Sequence, residues 1–298
     1  MANKNSLSIT QQIALLKNRG MQFKDENQAI HFLSNISYYR LKGYWWDMQS
    51  DRVNHTFSNG SYFEDVLDRY TFDRHLRLIL FDAIERIEIA LRTKMIYHLS
   101  QNYGGLWYLN KTICHDLTIH NKLLSDLKEE FGRSQEVFAK DHKRRNPNQD
   151  PDAWLLLEVA SMGTLSKLYK NIAHQLPEKS KIANEMGLNL HSELSSWLEA
   201  ITVIRNIIAH HSRLWNRNMV RTPMYLANPP AGWLQSSITT VQEKKPYLII
   251  SALVYLCNHV TPNHQIKAKL LELFGNNPNV PIYKMGFLNN WDNEALWS

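Results

Sequence analysis

Cysteine is nearly absent from this chain of 298 residues. Cys114 and Cys257 are the two it has, and they lie far apart. Two thiols build no disulfide framework, their placement is no metal motif, and a reducing compartment fits. An apolar leader is missing as well. Residues 1–12 are polar, so no signal peptide is expected. The longest greasy run, 247–257, falls short of the roughly 20 residues a bilayer-spanning helix needs. It reads as a buried helix, and a cytoplasmic protein with no membrane partner is expected. Strand-period alternation, internal repeats and low-complexity tracts are not found. Neither are a Gly-rich phosphate loop, a G-x-S-x-G elbow or a helical H-E-x-x-H. The common nucleotide-hydrolase, serine-hydrolase and zinc-peptidase classes therefore lack their signatures.

What is present is basic, aromatic and helical. The formal charge is +6, which is compatible with a polyanionic partner. Nine tryptophans and thirteen tyrosines supply rings that either stack on bases or fill a core. Apolar residues recur at threes and fours through 8–18, 25–33, 62–99, 115–131, 135–142, 152–160, 164–173, 177–186, 192 to about 216, 245–259 and 265–274. Ser61 and Glu64 have the spacing of a capping box at the start of the longest segment. That segment invites a break near Asp73 and a stop at Gly104-Gly105. Residues 47–60 and the basic run 143–147 read as loops. The tail after Pro278 reads as irregular, with Trp291 and Trp297 as anchors. One all-α domain over 1–298 is expected, with a two-lobe division near 104–115 as the alternative.

The informative stretch runs from Trp197 to Arg217. Leu198, Ile201, Ile204 and Ile208 form an apolar stripe at helical spacing. Arg205, Asn206 and His210 lie off it. Asn206 and His210 are four apart and share a face. Arg205 and His210 are five apart, roughly 140° round an ideal helix. A long arginine, a distorted helix end or a second copy of the motif would bring both to one phosphate. Histidine titrates near neutrality and moves protons. Arginine keeps its charge and binds two phosphate oxygens. An amide holds the imidazole or a phosphate in place. These are the parts for metal-free RNA cleavage, in which the 2′-hydroxyl attacks the adjacent phosphate. The products would be a 2′,3′-cyclic phosphate and a 5′-hydroxyl, and DNA would be spared. The plainer alternative is a salt-bridged arginine and a helix-end histidine.

The string Arg205-Asn206-Ile207-Ile208-Ala209-His210-His211-Ser212-Arg213-Leu214-Trp215-Asn216-Arg217 resembles the R-x4-H signature of the HEPN superfamily. Its fuller form is similar to the Abi-like (AbiD/AbiF) abortive-infection family. Three further blocks resemble that family: 36–46 (I-S-Y-Y-R-L), 70–92 and 158–169 (E-x-x-x-x-G-x-L-S-x-L-Y). The likeness spans roughly 8–220. It implies a HEPN-like multi-helix bundle with additional helices and a metal-independent endoribonuclease without cofactor. It also implies a toxin of phage defence or of a toxin–antitoxin system. A small structured RNA as restraining partner, and a homodimer that joins two motifs into one site, are implied too. Arg205 and His210 carry the motif's roles, with Asn206 beside them. Arg86 or Arg92 on the long helix is the alternative partner to a second copy.

Other residues extend the candidate site. His211 reads as a phosphate contact or a helix-end residue. Adjacent histidines point about 100° apart, so His210 and His211 rarely share one ion, and no metal site is expected. Arg213 and Arg217 make either a phosphate track or a solvated basic face. Arg40 and Lys42, among Tyr38, Tyr39 and Tyr44, resemble a single-strand binder, or else belong to a packed helix turn. Glu85, Arg86, Glu88 and Arg92 read as an ion network. A silent RNA-binding module, and a nucleotidyl-transferase acceptor toxin or interaction scaffold in a defence complex, compete with the nuclease reading.

Overall fold

Helix α1 (Ile9–Asn18) starts at Ser8, whose hydroxyl accepts the Gln11 N–H at 3.2 Å while the Gln11 amide oxygen accepts the Ser8 N–H at 2.8 Å. This reciprocal cap satisfies donors that a helix start leaves open. Asp25 caps α2 (Glu26–Asn35) through the N–H groups of Asn27 and Gln28. Ser37 caps α3 (Tyr38–Trp45). The computed structural model describes residues 5–226 and 228–298. Among them are thirteen α-helices and one two-stranded sheet, an all-α fold.

The axis is α4 (Phe63–Tyr103), 41 residues long. Val66, Leu76, Leu80, Ala83, Ile87 and Leu91 are among its buried positions, at the spacing the sequence shows. It runs through Asp73 without the expected break. Gly104, at φ 75°, ends it where the sequence places a stop. Then come α5 (Leu117–Arg133), α6 (Val137–Arg145), α7 (Ala153–Leu156), α8 (Met162–Asn171) and α9 (Pro177–Glu185). After these follow α10 (His191–Ala209), α11 (Thr240–Glu243), α12 (Pro246–Val260) and α13 (Ile266–Gly275). Helices α3, α9, α10, α12 and α13 all pack on α4, and α8 packs on both α5 and α10. One connected apolar cluster reaches from Ile13 to Trp297. Every residue from Pro246 to Cys257 is buried, as the greasy run implies. Among the described residues no helix is long and apolar enough to cross a membrane. Trp297 is buried against Phe287 and Trp291, so the tail is anchored by rings as expected.

Several local expectations are corrected. Residues 47–60 hold an antiparallel hairpin, β1 (Gln49–Asp51) with β2 (Thr56–Phe57). Its strands are too short to show alternation. Ser61 and Glu64 form no capping box. The Ser61 hydroxyl bonds the Met48 carbonyl, and the Glu64 carboxylate accepts the N–H groups of Lys24 and Asp25. The chain around Gln22 pairs alongside and claims the Glu64 side chain, while the segment at Met48 takes that of Ser61. The helix starts at Phe63 instead, with the Tyr62 N–H on the Asp65 carboxylate at 3.4 Å. The basic run is helical through Arg145. Lys143 closes the end of α5 by donating to the carbonyls of Gly132 and Ser134, and Arg144 and Arg145 pair with Asp141.

Lys179 is 1% exposed on α9. Its amine donates to the carbonyls of Lys170 (2.8 Å) and Ile172 (2.6 Å). Burial, and then the Lys170 charge, bring its pKa down to about 8. An unfolded chain holds this proton up to about 10.4. Between the two values the unfolded state binds more protons, so stability rises with pH there. We expect a gain on the order of 1–2 kcal/mol after solvent screening, read as urea midpoints at the two ends of that window. Lys179→Met should flatten the rise; an equal rise in that variant would assign it to other groups.

Candidate active site at the end of helix α10

The apolar stripe of α10 is buried as the sequence requires, with Leu198, Ile201, Ile204 and Ile208 in the core. Arg205 is half-buried, and Asn206 and His210 are exposed. The helix ends at Ala209, earlier than the expected Asn216, because the chain turns sharply at the motif itself. His210 is the last near-helical residue (φ −86°, ψ 11°). His211 takes the left-handed conformation at φ 53°. The His211 N–H reaches the Ile208 carbonyl and the Ser212 N–H reaches the Ile207 carbonyl, both at 2.9 Å. That is a Schellman turn, with histidine where glycine is usual.

Four arginines and one carboxylate hold this turn and the residues that follow it. Arg40 of α3 donates to the His211 carbonyl at 2.6 Å. Arg77 of α4 donates to the carbonyls of His211 (2.8 Å) and Ser212 (3.0 Å). Asp73, fully buried, accepts the N–H groups of Leu214 (3.1 Å) and Trp215 (2.6 Å) and the Tyr44 hydroxyl (2.6 Å). Arg77 faces it at 3.6 Å. Burial pushes the Asp73 carboxyl up, against the pull of those donors. Arg213 is half-buried and donates to the Trp215 carbonyl. Its side chain passes over Gly43, where a Cβ would lie 3.2 Å from its Cδ and Nε. Arg217 in turn donates to the Arg213 carbonyl at 3.1 Å. Tyr44 faces Trp215 across 6.4 Å, and Arg69 covers the same indole at 4.9 Å.

The structure thus brings Arg40, Arg213 and Arg217 to the turn, where each supports backbone. Lys42 points elsewhere, two residues and about 200° round α3 from Arg40. Its amine lies 5.6 Å from the Trp46 ring. Tyr44 belongs to the core, whereas Tyr39 is exposed.

Arg205 and His210 are different. Neither side chain has a hydrogen-bond partner among the described residues, so both are open to a ligand. Glu88 of α4 feels the Arg205 charge and is itself bonded to Arg92 at 2.9 Å. Burial pushes the Glu88 carboxyl up, and the Arg92 and Arg205 charges pull it down. Arg92 also donates to the Ala160 carbonyl, and Arg86 pairs with Asp82, so both have structural partners. Glu88–Arg92 is an i,i+4 pair within the expected ion network, and Arg86 pairs with Asp82. Among the described residues no three His, Cys, Asp or Glu side chains are grouped as metal ligands.

Asp73 and Arg77 carry no site role in the sequence reading, and Tyr44 enters it only as one of the rings beside Arg40 and Lys42. The available signal was an aspartate at a position the apolar stripe of α4 claims. In sequence that reads as a helix break; in the fold it is a carboxylate aimed at another segment.

His211 bears a conformational strain that can be measured. A non-glycine residue in the left-handed region costs roughly 1–2 kcal/mol relative to glycine. His211→Gly should therefore raise the unfolding midpoint by about 1 kcal/mol of stability. An unchanged or lower midpoint would mean that the imidazole itself stabilises the turn.

An all-α protein with an unpaired arginine–histidine motif on a braced helix end is the class that fold and site define. The family model described as Abi-like protein matches residues 31–216, and the chain belongs to that family. Membership points to abortive-infection defence. No curated protein and no solved structure matches the chain.

Proposed function

We propose that the protein is a metal-independent endoribonuclease of HEPN type, acting as a toxin in phage defence or a toxin–antitoxin system. The observation that carries this reading is the contrast at the end of α10. Every other motif arginine is bonded to backbone, while the Arg205 guanidinium and the His210 imidazole are left open. In the proposed reaction a base takes the 2′-hydroxyl proton and that oxygen attacks the phosphorus. Arginine stabilises the added negative charge. Imidazolium gives its proton to the departing 5′-oxygen. Asn206 orients the phosphate or the ring.

A homodimer supplies the second half of the site. Phe81, four residues after Arg77 and seven before Glu88, lies on the same face of α4 and is 44% exposed. A second copy on this face would cover it and set two motifs against each other. A small structured RNA would hold the toxin in check by occupying the same basic surface. The cell compartment proposed is the cytoplasm, where substrate and restraint are both available.

The test is cleavage of labelled single-stranded RNA in EDTA. Cyclic phosphate ends are the expected result. Tight binding without cleavage, after stripping of any co-purified RNA, would turn the reading to a silent RNA-binding module.

A further inference from the structure

Between α1, α2 and α3 lies a cleft of about 730 Å³. Its floor is apolar, with Leu15 and Leu33. Its rim carries Arg19, Tyr38, Tyr39 and Lys42. Ser34, Asn35 and Ser37 also line it, with the Ser34 and Asn35 donors on the His31 carbonyl and the Ser37 oxygen accepting the Arg40 N–H. Among the described residues that line it there is no Asp or Glu. Two cations and no acid make a site for an anion. Tyr39 is 80% exposed and meets Tyr38 edge-on at 6.1 Å, while the Arg19 guanidinium holds the Tyr38 hydroxyl at 3.2 Å. One ring is thus fixed and its neighbour offers an open face. Trp46, also exposed, lies beside the cleft with Lys42 and Arg52 over its ring at 5.6 and 6.0 Å.

We propose that this cleft binds an unpaired nucleotide of an RNA strand, its base on Tyr39 and its phosphate between Arg19 and Lys42. An aromatic face takes any base, and the cations take the phosphate. The volume suits a ligand of one or two nucleotides. Continuity with the motif argues for a strand as the source. Arg40, on the opposite side of α3, holds the His211 carbonyl, so one helix separates the cleft from the end of α10. A strand wrapped over α3 would be gripped in the cleft and presented to His210. The inference rests on the RNA-cleaving reading for its purpose, but its test does not depend on cleavage.

The probe is a fluorescent single-stranded RNA carrying 4-thiouridine, bound by His210→Ala protein. Tyr39→Ala, added to it, should weaken binding about tenfold, and Tyr39→Trp should hold it. The crosslink should fall within residues 34–42. Tyr283→Ala removes an exposed ring far along the chain and is the control. A Tyr39→Ala protein that binds as tightly as that control, or a crosslink elsewhere, overturns the proposal. Adenosine and uridine monophosphates form the second arm. Displacement only at millimolar concentration supports a strand; displacement at micromolar concentration overturns it in favour of a free nucleotide. A wild type that never cuts, yet loses RNA binding with Tyr39, would sink the nuclease reading and leave this one standing.

Discussion

His210→Ala protein should cut single-stranded RNA on the order of 10³-fold more slowly than wild type, and Arg205→Ala on the order of 10²-fold or more. The two values differ because they remove different things. Loss of the imidazole removes proton transfer to the leaving oxygen. Loss of the guanidinium removes charge stabilisation that other basic groups partly replace. Both variants should unfold within about 0.5 kcal/mol of wild type, because neither side chain has a hydrogen bond to lose and Glu88, which feels Arg205, keeps Arg92. That separation makes the test sharp. A dead but stable variant marks a reacting group, whereas a dead and unstable one marks a brace. Mixing the two variants adds a second reading. If Arg205 of one copy serves His210 of the other, heterodimers should recover part of the lost rate. Recovery would locate the site at the dimer interface. Two active variants at wild-type rates would end the nuclease reading at this motif.

The helices were legible because most of them are amphipathic at one spacing and are marked by caps. Ser8, Asp25 and Gly104 do in the fold what their positions imply. What escaped was decided by distant parts of the chain. Glu64 has the spacing of a cap, but the N–H groups of Lys24 and Asp25 claim it first. The end of α10 was misplaced because its left-handed residue is His211, not glycine, and nothing local marks it. Arg205, Asn206 and His210 were legible as candidates, and all three lie at the C-terminal end of α10. The division of labour around them was not. Arg40, Arg213 and Arg217 look alike as basic residues beside the motif. Only the fold separates arginines that hold carbonyls from one that makes no hydrogen bond among the described residues.

Asp73 carries the second large effect. Its carboxylate joins α4, Tyr44 of α3 and the N–H groups of Leu214 and Trp215, with Arg77 alongside. Arg77 is 7% exposed, so Asp73→Ala would leave a buried cation and two buried N–H groups without their acceptor. Breaking such a group from one side costs about 3–5 kcal/mol. We expect the urea midpoint to fall accordingly, and RNA cleavage to fall with it, since the turn after His210 loses its anchor. Asp73→Asn should cost less, about 1–3 kcal/mol, because an amide oxygen still accepts one N–H while the charge opposite Arg77 is gone. A double-mutant cycle decides whether the pair acts as a unit. Asp73→Leu with Arg77→Met should cost less than the sum of the two single changes, by about 1–3 kcal/mol, since the second change removes the stranded charge. Additive losses would mean that Asp73 works through the Leu214 and Trp215 backbone alone. Activity should follow a different rule. Arg77→Met strips two carbonyl contacts from the very residues that follow His210, so cleavage should stay impaired in the double variant even where stability recovers. A double variant with both stability and cleavage restored would show that the turn needs no brace, and that Asp73 serves the fold and not the site.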